Sequence, residues 1–446
     1  MLQRLKKLLQ QIKAKVWRGF KRCVPEWLRI WLRETQARWQ RIAKEWLWEW
    51  QLLRNVQQDY EKKISELSQR KDKIKCVFLV FCNTKWNGDS LYKKLDSDSR
   101  FSPIVVLAIL PTTAAVSNRE ANCQFFTERG YDFAVISNGA DLQKHKPDVV
   151  FYQQSRHEAS YVGLMPADIS RYALCLYFHY GIAAALAPHS WDKQSTFYKT
   201  LYRNFVFNSA VVEQFQAKGV HNTIATGHPK MDAYLEPVKS QPWKDKEKFK
   251  IIYAPHHSVD HCFSSPIRFG TFDWNGSELL EWARTHPDTE WIFKPHPRFR
   301  LAVLNAGIMG EDEINAYYDD WNKIGAVYTQ GDYFDVFRTA DLLITDCFSF
   351  LTEWLPTEKP CIHLLTVNDA HRIRSPVHEN SSRHYYKVKN MDELNGTMEM
   401  LVVRREDPLA KARIQDAKNI PLDCAKNIHH WLIETLWGQH QESTEP

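Results

Sequence analysis

Three short polar clusters hold the residues of this chain best suited to chemistry. Each follows a brief apolar run: His256-His257-Ser258 after Phe249–Tyr253, Lys294 with His296 and Arg298 after Trp291–Phe293, and Thr345-Asp346 with Ser349 after Leu342–Ile344. Apolar runs of that length read as buried strands of a parallel sheet. Polar groups at the carboxyl ends of such strands are where open α/β sheets hold ligands. Three clusters in one half of the chain therefore converge on one crevice. Phe350, Leu351, Trp354 and Leu355 recur at helical spacing after the third cluster, so a helix N-terminus is expected there. Lys, Arg, imidazoles and hydroxyls around it make an anion site, and a diphosphate is the obvious candidate. Metal binding is the alternative use of the histidines. His256-His257 and the distant His296 lack an i,i+4 pair, and Asp346 is the one carboxylate beside them, so no metal is expected. Glu353, one turn into the helix, reads equally as a capping or solvated residue and as a ribose or base contact.

The first half offers fewer candidates. Gln153, Gln154, Ser155 and Arg156 follow the run Asp148–Tyr152, and His179-Tyr180-Gly181 follows Leu174–Phe178. A histidine at a strand's carboxyl end reads evenly as a satisfied structural residue and as a base taking a proton from an acceptor hydroxyl. Gly227-His228-Pro229-Lys230-Met231-Asp232 reads as a turn into a domain junction, with Gly227, Pro229 and Asp232 its marked positions.

These clusters need a scaffold of alternating strands and helices. In the first half the runs Cys76–Phe81, Ile104–Leu110, Phe133–Ile136, Asp148–Tyr152, Leu174–Phe178, Asn204–Phe207 and Thr223–Ala225 are predicted strands; in the second, Val327-Tyr328 and Cys361–Leu364 join the three above. Such alternation argues two doubly wound parallel sheets. No GxGxxG follows the first strand, so this is not a dinucleotide-binding unit of the usual type. At 446 residues, two domains plus an appendage are expected. The reading is a helical segment over 1–72, an acceptor-side domain over 73–240, a donor-side domain over 241–405, and C-terminal helices with a tail over 406–446.

Net charge is +6, but residues 1–44 hold thirteen Lys/Arg against two Glu, a local +11 that leaves −5 for the remainder. In residues 1–24 apolar side chains recur at steps of three and four among lysines, which predicts an amphipathic helix. Pro25 ends it, and a second helix follows, so that seven of the seventeen tryptophans fall within the first fifty residues. Tryptophan with Lys/Arg suits the headgroup layer of an anionic membrane, so residues 1–50 are expected to lie on a membrane surface. Docking on a protein and nucleic-acid binding are weaker readings; no nucleic-acid module accompanies the patch. Residues 55–73 read as the helix end and a solvated linker. The nine cysteines are scattered without a CxxC pair, which argues against a disulfide framework. No signal peptide and no run of eighteen apolar residues is present.

The order of these elements resembles the GT-B architecture of glycosyltransferases. Tyr253-Ala254-Pro255, Lys294-Pro295-His296-Pro297, and Thr345-Asp346-Cys347-Phe348-Ser349 with Lys359-Pro360 resemble motifs of the CDP-glycerol glycerophosphotransferase family of teichoic-acid and capsule-type polymer synthesis. The resemblance spans residues 76–403, and implies a GT-B-like fold, α/β, with two Rossmann-type domains facing a cleft. It implies transfer of a phosphoalcohol from a CDP-activated donor to a lipid-linked or glycan acceptor, with no cofactor, at the cytoplasmic face of a bacterial plasma membrane. Under it His179 and His296 are catalytic. Lys294, Thr345, Ser349, and with them His256, His257, Ser258, Arg298, Asp346 and Glu353, line the donor site. The sequence departs from the family at Tyr180, Cys347, Phe348 and His256-His257-Ser258. The alternatives are a nucleotide-sugar glycosyltransferase of the same fold and a non-catalytic membrane-bound scaffold or glycan-binding module.

Overall fold

A computed structural model describes residues 26–109, 119–154, 163–182, 195–259, 269–329, 332–366 and 376–438. The chain divides into two compact units, Met1–Gln58 and Asp59–Pro446. The helix predicted over residues 1–24 lies outside the described residues. Helix α1 spans Glu26–Ser68, so helix continues where a solvated linker is expected. Its last turns are held within the larger unit. Tyr60 OH donates to Thr200 O at 2.7 Å, Leu67 is buried, and Lys63 pairs with buried Asp148 at 3.2 Å, as does Arg70, beyond the helix end, at 2.5 Å. These contacts supply the ordering that polar composition alone does not.

The larger unit holds two parallel sheets. The first contains β1 Ile74–Val80, β2 Phe101–Ala108, β3 Phe133–Ile136, β4 Val149–Tyr152, β5 Leu174–Phe178, β6 Arg203–Val206 and β7 Thr223–Ala225, in the order β3-β2-β1-β4-β5-β6-β7. The second contains β8 Phe249–Ala254, β9 Thr289–Phe293, β10 Ala326–Val327, β11 Leu342–Thr345, β12 Cys361–Leu364 and β13 Tyr386–Val388, in the order β10-β9-β8-β11-β12-β13. The second half therefore runs 3-2-1-4-5-6, the doubly wound arrangement, and the first runs the same way with a seventh strand at its edge. The expected α/β class and GT-B-like pair of Rossmann-type halves are what the chain forms.

The apolar runs lack polar alternation because both faces of each strand are covered. In the second sheet Ile251, Tyr253, Trp291, Phe293, Leu342 and Ile344 pack into one core, while Ile252, Ala254, Ile292 and Leu343 point into another. The order reverses between β1 and β4 in the first sheet and between β8 and β11 in the second. Those two points locate the site.

The last helix, α2 (Cys424–Trp437), returns to the first half. His429 Nε2 lies 2.8 Å from Asp98 Oδ2, and Trp431 packs edge-on against Phe205. Its start is tied to the junction between the halves. Asp232 accepts from the backbone N–H groups of Cys424 and Ala425 at 2.6 and 2.8 Å, placing a carboxylate on a helix N-terminus. Gly227 has φ +78° with Cys424 and Pro421 against it, which leaves no room for a Cβ. Pro229 opens the short turn Pro229–Tyr234, and its carbonyl accepts from Ser90 Oγ at 2.8 Å.

Candidate functional site

At the second switch point the loop after β8 is tied to the end of β11. Asp346, fully buried, accepts from His256 N at 2.7 Å, Thr271 N at 2.8 Å and Thr271 Oγ1 at 3.0 Å. Thr345 Oγ1 donates to Ala254 O at 2.6 Å and accepts from Cys347 N at 3.0 Å. Both residues thus spend their polar groups inside the protein and shape the crevice rather than face it. Burial pushes the Asp346 carboxyl up to about 6 against the pull of its donors. Ser349 is exposed, on a helix of only seven residues, Phe348–Trp354.

The histidines gather above this frame. Each has a ring nitrogen within 4.8 Å of one on the others. The His257 ring lies 4.1 Å from those of both His256 and His296, which are 5.0 Å apart. Sequence spacing could not disclose this closeness, because it depends on β8 and β9 being neighbours.

Their hydrogen bonds fix what two of them can do. Ser258 Oγ accepts from Phe269 N and Gly270 N, so its own hydrogen goes to His256 Nδ1, 3.0 Å away. Ser258 N donates to the same nitrogen at 3.1 Å. Arg298 N donates to His296 Nδ1 at 3.1 Å. With Nδ1 accepting, a neutral imidazole carries its proton on Nε2. His256 and His296 are therefore neutral Nε2–H donors. Burial holds both well below the ordinary histidine range, His296 at about 3, with His257 adding to the effect on each and Lys294 and Arg298 to that on His296.

This arrangement bears on metal binding. Three imidazoles so close could hold a transition-metal ion. A ligating histidine, however, gives its other N–H to an acceptor, and here the other nitrogen of two rings faces a backbone N–H donor. Lys294 and Arg298 beside the rings oppose a cation further. The donor set fits an oxyanion. His257 Nδ1 is buried without a hydrogen-bond partner among the described residues.

Lys294, close enough to depress His296, rests on aromatic faces. Its Nζ lies 4.4 Å over the Tyr333 ring and 5.0 Å over Phe350, and burial lowers its pKa to about 8. Glu353 is turned away from the crevice, 1% exposed, accepting from Lys230 Nζ at 2.7 Å and from Tyr333 OH. Tyr333, Lys230 and Thr271 were invisible as site residues in the sequence. Lys230 alone lay within a noted motif.

In the first half, the switch point is tied by Gln153 and Gln154. Gln154 Oε1 accepts from Phe81 N at 2.5 Å, and Gln153 Oε1 from Asn87 N at 2.8 Å. Ser155 and Arg156 lie outside the described residues. His179 follows β5, with Nδ1 2.9 Å from Gly181 O and 3.0 Å from Gly181 N. Protonation of Nδ1 leaves Nε2 a lone pair; the other tautomer makes Nε2 a donor. Burial lowers its pKa to about 4. His228 Nδ1 accepts from Lys230 N at 3.1 Å, and its Nε2 donates to His179 O.

No known protein-family model matches the sequence, and no curated protein matches it. Among solved structures, UDP-GlcNAc 2-epimerase from Neisseria meningitidis bound to UDP-GlcNAc aligns at 12% identity and TM-score 0.56, covering 81% of this chain and 100% of that one. The S. aureus MnaA–UDP complex aligns at 14% and 0.56, covering 81% and 97%. The UDP-GlcNAc 2-epimerase from Methanocaldococcus jannaschii aligns at 14% and 0.51, covering 78% and 99%. These findings overturn the resemblance to CDP-glycerol glycerophosphotransferases, and with it the phosphoalcohol transferase activity and the place in teichoic-acid or capsule synthesis. The physical reason lies in the motifs themselves. Thr345, Asp346, Pro255 and the backbone of His296, whose N–H donates to Pro255 O at 3.1 Å, knit strand ends together, a task any doubly wound half sets whatever its donor. At these identities the likeness is one of fold: a GT-B-like pair of α/β halves.

Proposed function

We propose that this chain is an enzyme acting on a nucleoside-diphosphate sugar, with the diphosphate held in the histidine crevice of the second half. The carrying observation is the fixed tautomer of His256 and His296. Each ring keeps its proton on Nε2 within a cluster of three imidazoles near Lys294, so it can donate to a phosphoryl oxygen without a proton being taken up near pH 7. The neighbours' titles name UDP-GlcNAc and UDP as their ligands, which supports the same ligand class here.

The chemistry follows from charge. As the bond between sugar and diphosphate breaks, negative charge grows on the leaving diphosphate, where the donors already point. For transfer of the sugar, an acceptor hydroxyl gives its proton to His179 Nε2. Burial keeps that ring neutral at pH 7, the state a base requires, and a nearby diphosphate would strengthen it.

Calorimetric titration with UDP, UDP-GlcNAc and CDP-glycerol tests the binding. UDP and UDP-GlcNAc are expected to bind, and His296→Ala should weaken both about tenfold, one charge-assisted hydrogen bond. No binding of either would sink the reading. NMR of UDP-GlcNAc turnover then separates the classes: release of UDP marks bond cleavage at the anomeric carbon, and inversion at C2 without release marks an isomerase.

We also infer that the smaller unit rests on an anionic membrane surface. On α1, Trp31, Trp39, Trp46, Trp48 and Trp50 are each more than half exposed; all but Trp48 fall within an arc of about 100°. The local +11 charge of residues 1–44 supplies the electrostatic attraction. No helix among the described residues is long and apolar enough to cross a membrane. Co-sedimentation with phosphatidylserine vesicles should fall by at least tenfold when Trp39, Trp46 and Trp50 become Ser; unchanged sedimentation would refute it.

A further inference from the structure

One line of contacts joins the crevice to His179. It starts at Tyr333, whose ring lies under Lys294 Nζ at 4.4 Å and under Lys230 Nζ at 5.1 Å. Tyr333 OH donates to Glu353 Oε2, and Lys230 Nζ donates to Oε1 at 2.7 Å. Tyr234 OH donates to the Glu353 carbonyl. The Lys230 backbone N–H donates to His228 Nδ1 at 3.1 Å, and His228 Nε2 donates to the His179 carbonyl. Every link is made, and each group has one available role.

The placement is costly. Glu353 is 1% exposed, and burying an ion pair forfeits hydration that the pair itself rarely makes good. Apolar side chains could fill the junction at least as stably. Directional bonds can also set one geometry between groups on two separate sheets, a role buried ion pairs fill in some proteins. His179 sits just past β5 and the crevice just past β8 and β9, with the turn Pro229–Tyr234 as the link between halves.

We propose that Glu353, Lys230 and His228 are positioning residues, a hydrogen-bonded strut that sets the His179 ring relative to the anion crevice. The strut rests on the reading of His179 as the group that handles the acceptor proton. Glu353 neutralises Lys230 so that its side chain stays on the junction and not on the incoming anion. Lys230 fixes the turn, the turn fixes His228, and His228 fixes the backbone that carries His179.

The test uses the full chain with 13C-labelled histidine and three variants: Lys230→Met, Lys230→Arg and, as the mildest cut, Tyr333→Phe. The His179 resonance is assigned by its loss in His179→Gln. In Lys230→Met the His179 ring signal should move, turnover of UDP-GlcNAc should fall at least tenfold in kcat, and KM and UDP affinity should stay within threefold. Lys230→Arg, which keeps the charge, should restore most of both. Should Lys230→Met fail to fold by circular dichroism, Tyr333→Phe carries the test with a smaller shift of the same signal. A folded Lys230→Met or Tyr333→Phe with an unmoved His179 signal overturns the strut. Wild-type protein that binds no UDP overturns the functional reading instead, and the ring signal, which needs no ligand, still decides the strut.

Discussion

The neutral histidines predict how this protein responds to acid. Burial is the main cause of depression for His179, held at about 4, and for His228 and His296, each at about 3. For a base whose folded pKa lies below its unfolded value, stability is complete above the unfolded pKa and is lost as pH falls below it. The window therefore opens at about 6.5, the ordinary histidine value. At pH 5.5 each unfolded histidine gains about 1.4 kcal/mol from protonation that its folded counterpart does not. Three together cost about 4 kcal/mol, and His256, depressed in the same direction, adds to that. Asp346 works the other way. With its folded pKa raised to about 6, the native state binds that proton first and offsets about 1 kcal/mol at pH 5.5. The net loss between pH 7.5 and 5.5 is at least about 3 kcal/mol, a large share of the 5–15 kcal/mol a domain typically has. Urea titrations followed by tryptophan fluorescence at the two pH values measure it, and His228→Gln should remove about 1.4 kcal/mol of the difference. A change below 1 kcal/mol, or a gain in stability, would refute the assignment of these rings as buried and neutral.

Two substitutions probe the junction. Gly227→Ala places a Cβ against Cys424 at φ +78° and should cost at least about 2 kcal/mol by urea titration; a loss under 0.5 kcal/mol, on the scale of a neutral surface change, would mean the turn is not held as described. Asp232→Ala strips the buried N–H groups of Cys424 and Ala425 of their acceptor, a loss of about 2–4 kcal/mol. Hydrogen exchange should quicken along Cys424–Trp437 first, and unchanged protection there would contradict the tie.

Much of the scaffold could be read from the sequence because each strand is apolar throughout. The predicted runs Phe133–Ile136, Leu174–Phe178, Thr223–Ala225 and Cys361–Leu364 are the strands observed, with the same ends. β13 was missed because Tyr386–Val388 is a three-residue edge strand with only Val388 fully buried, so it leaves no apolar run. The positions of the polar clusters were legible for the same reason that the strands were. The division of labour within them was not. Thr345, Asp346 and Ser349 look alike as small polar residues after a strand, yet two are consumed by backbone groups and the third is exposed. That outcome depends on Thr271 and on the loop after β8, neither of which is near in sequence. The crowding of His256, His257 and His296 likewise depends on strand neighbours, and the Lys230–Glu353 pair joins residues 123 positions apart.

The two halves share a strand order and a way of tying the switch point, and the difference between them argues for where the anion goes. In the first half, Gln154 receives Phe81 N and gives its own N–H to Cys82 O, so the tie consumes donors as well as acceptors. In the second, Asp346 can only accept, and it takes up His256 N and both donors of Thr271. Ser258 and Arg298 then supply Nδ1 of the two histidines with hydrogen, which forces the remaining ring protons outward on Nε2. The buried carboxylate thus holds the loop that carries His256, and the two rings keep their N–H groups near Lys294. Replacing Asp346 should therefore damage anion binding without touching the anion: Asp346→Asn turns one acceptor into a donor facing His256 N or Thr271, displaces the loop, and is expected to weaken UDP binding at least tenfold in a protein that still folds. Unchanged affinity in that variant would mean that anion binding does not depend on the frame.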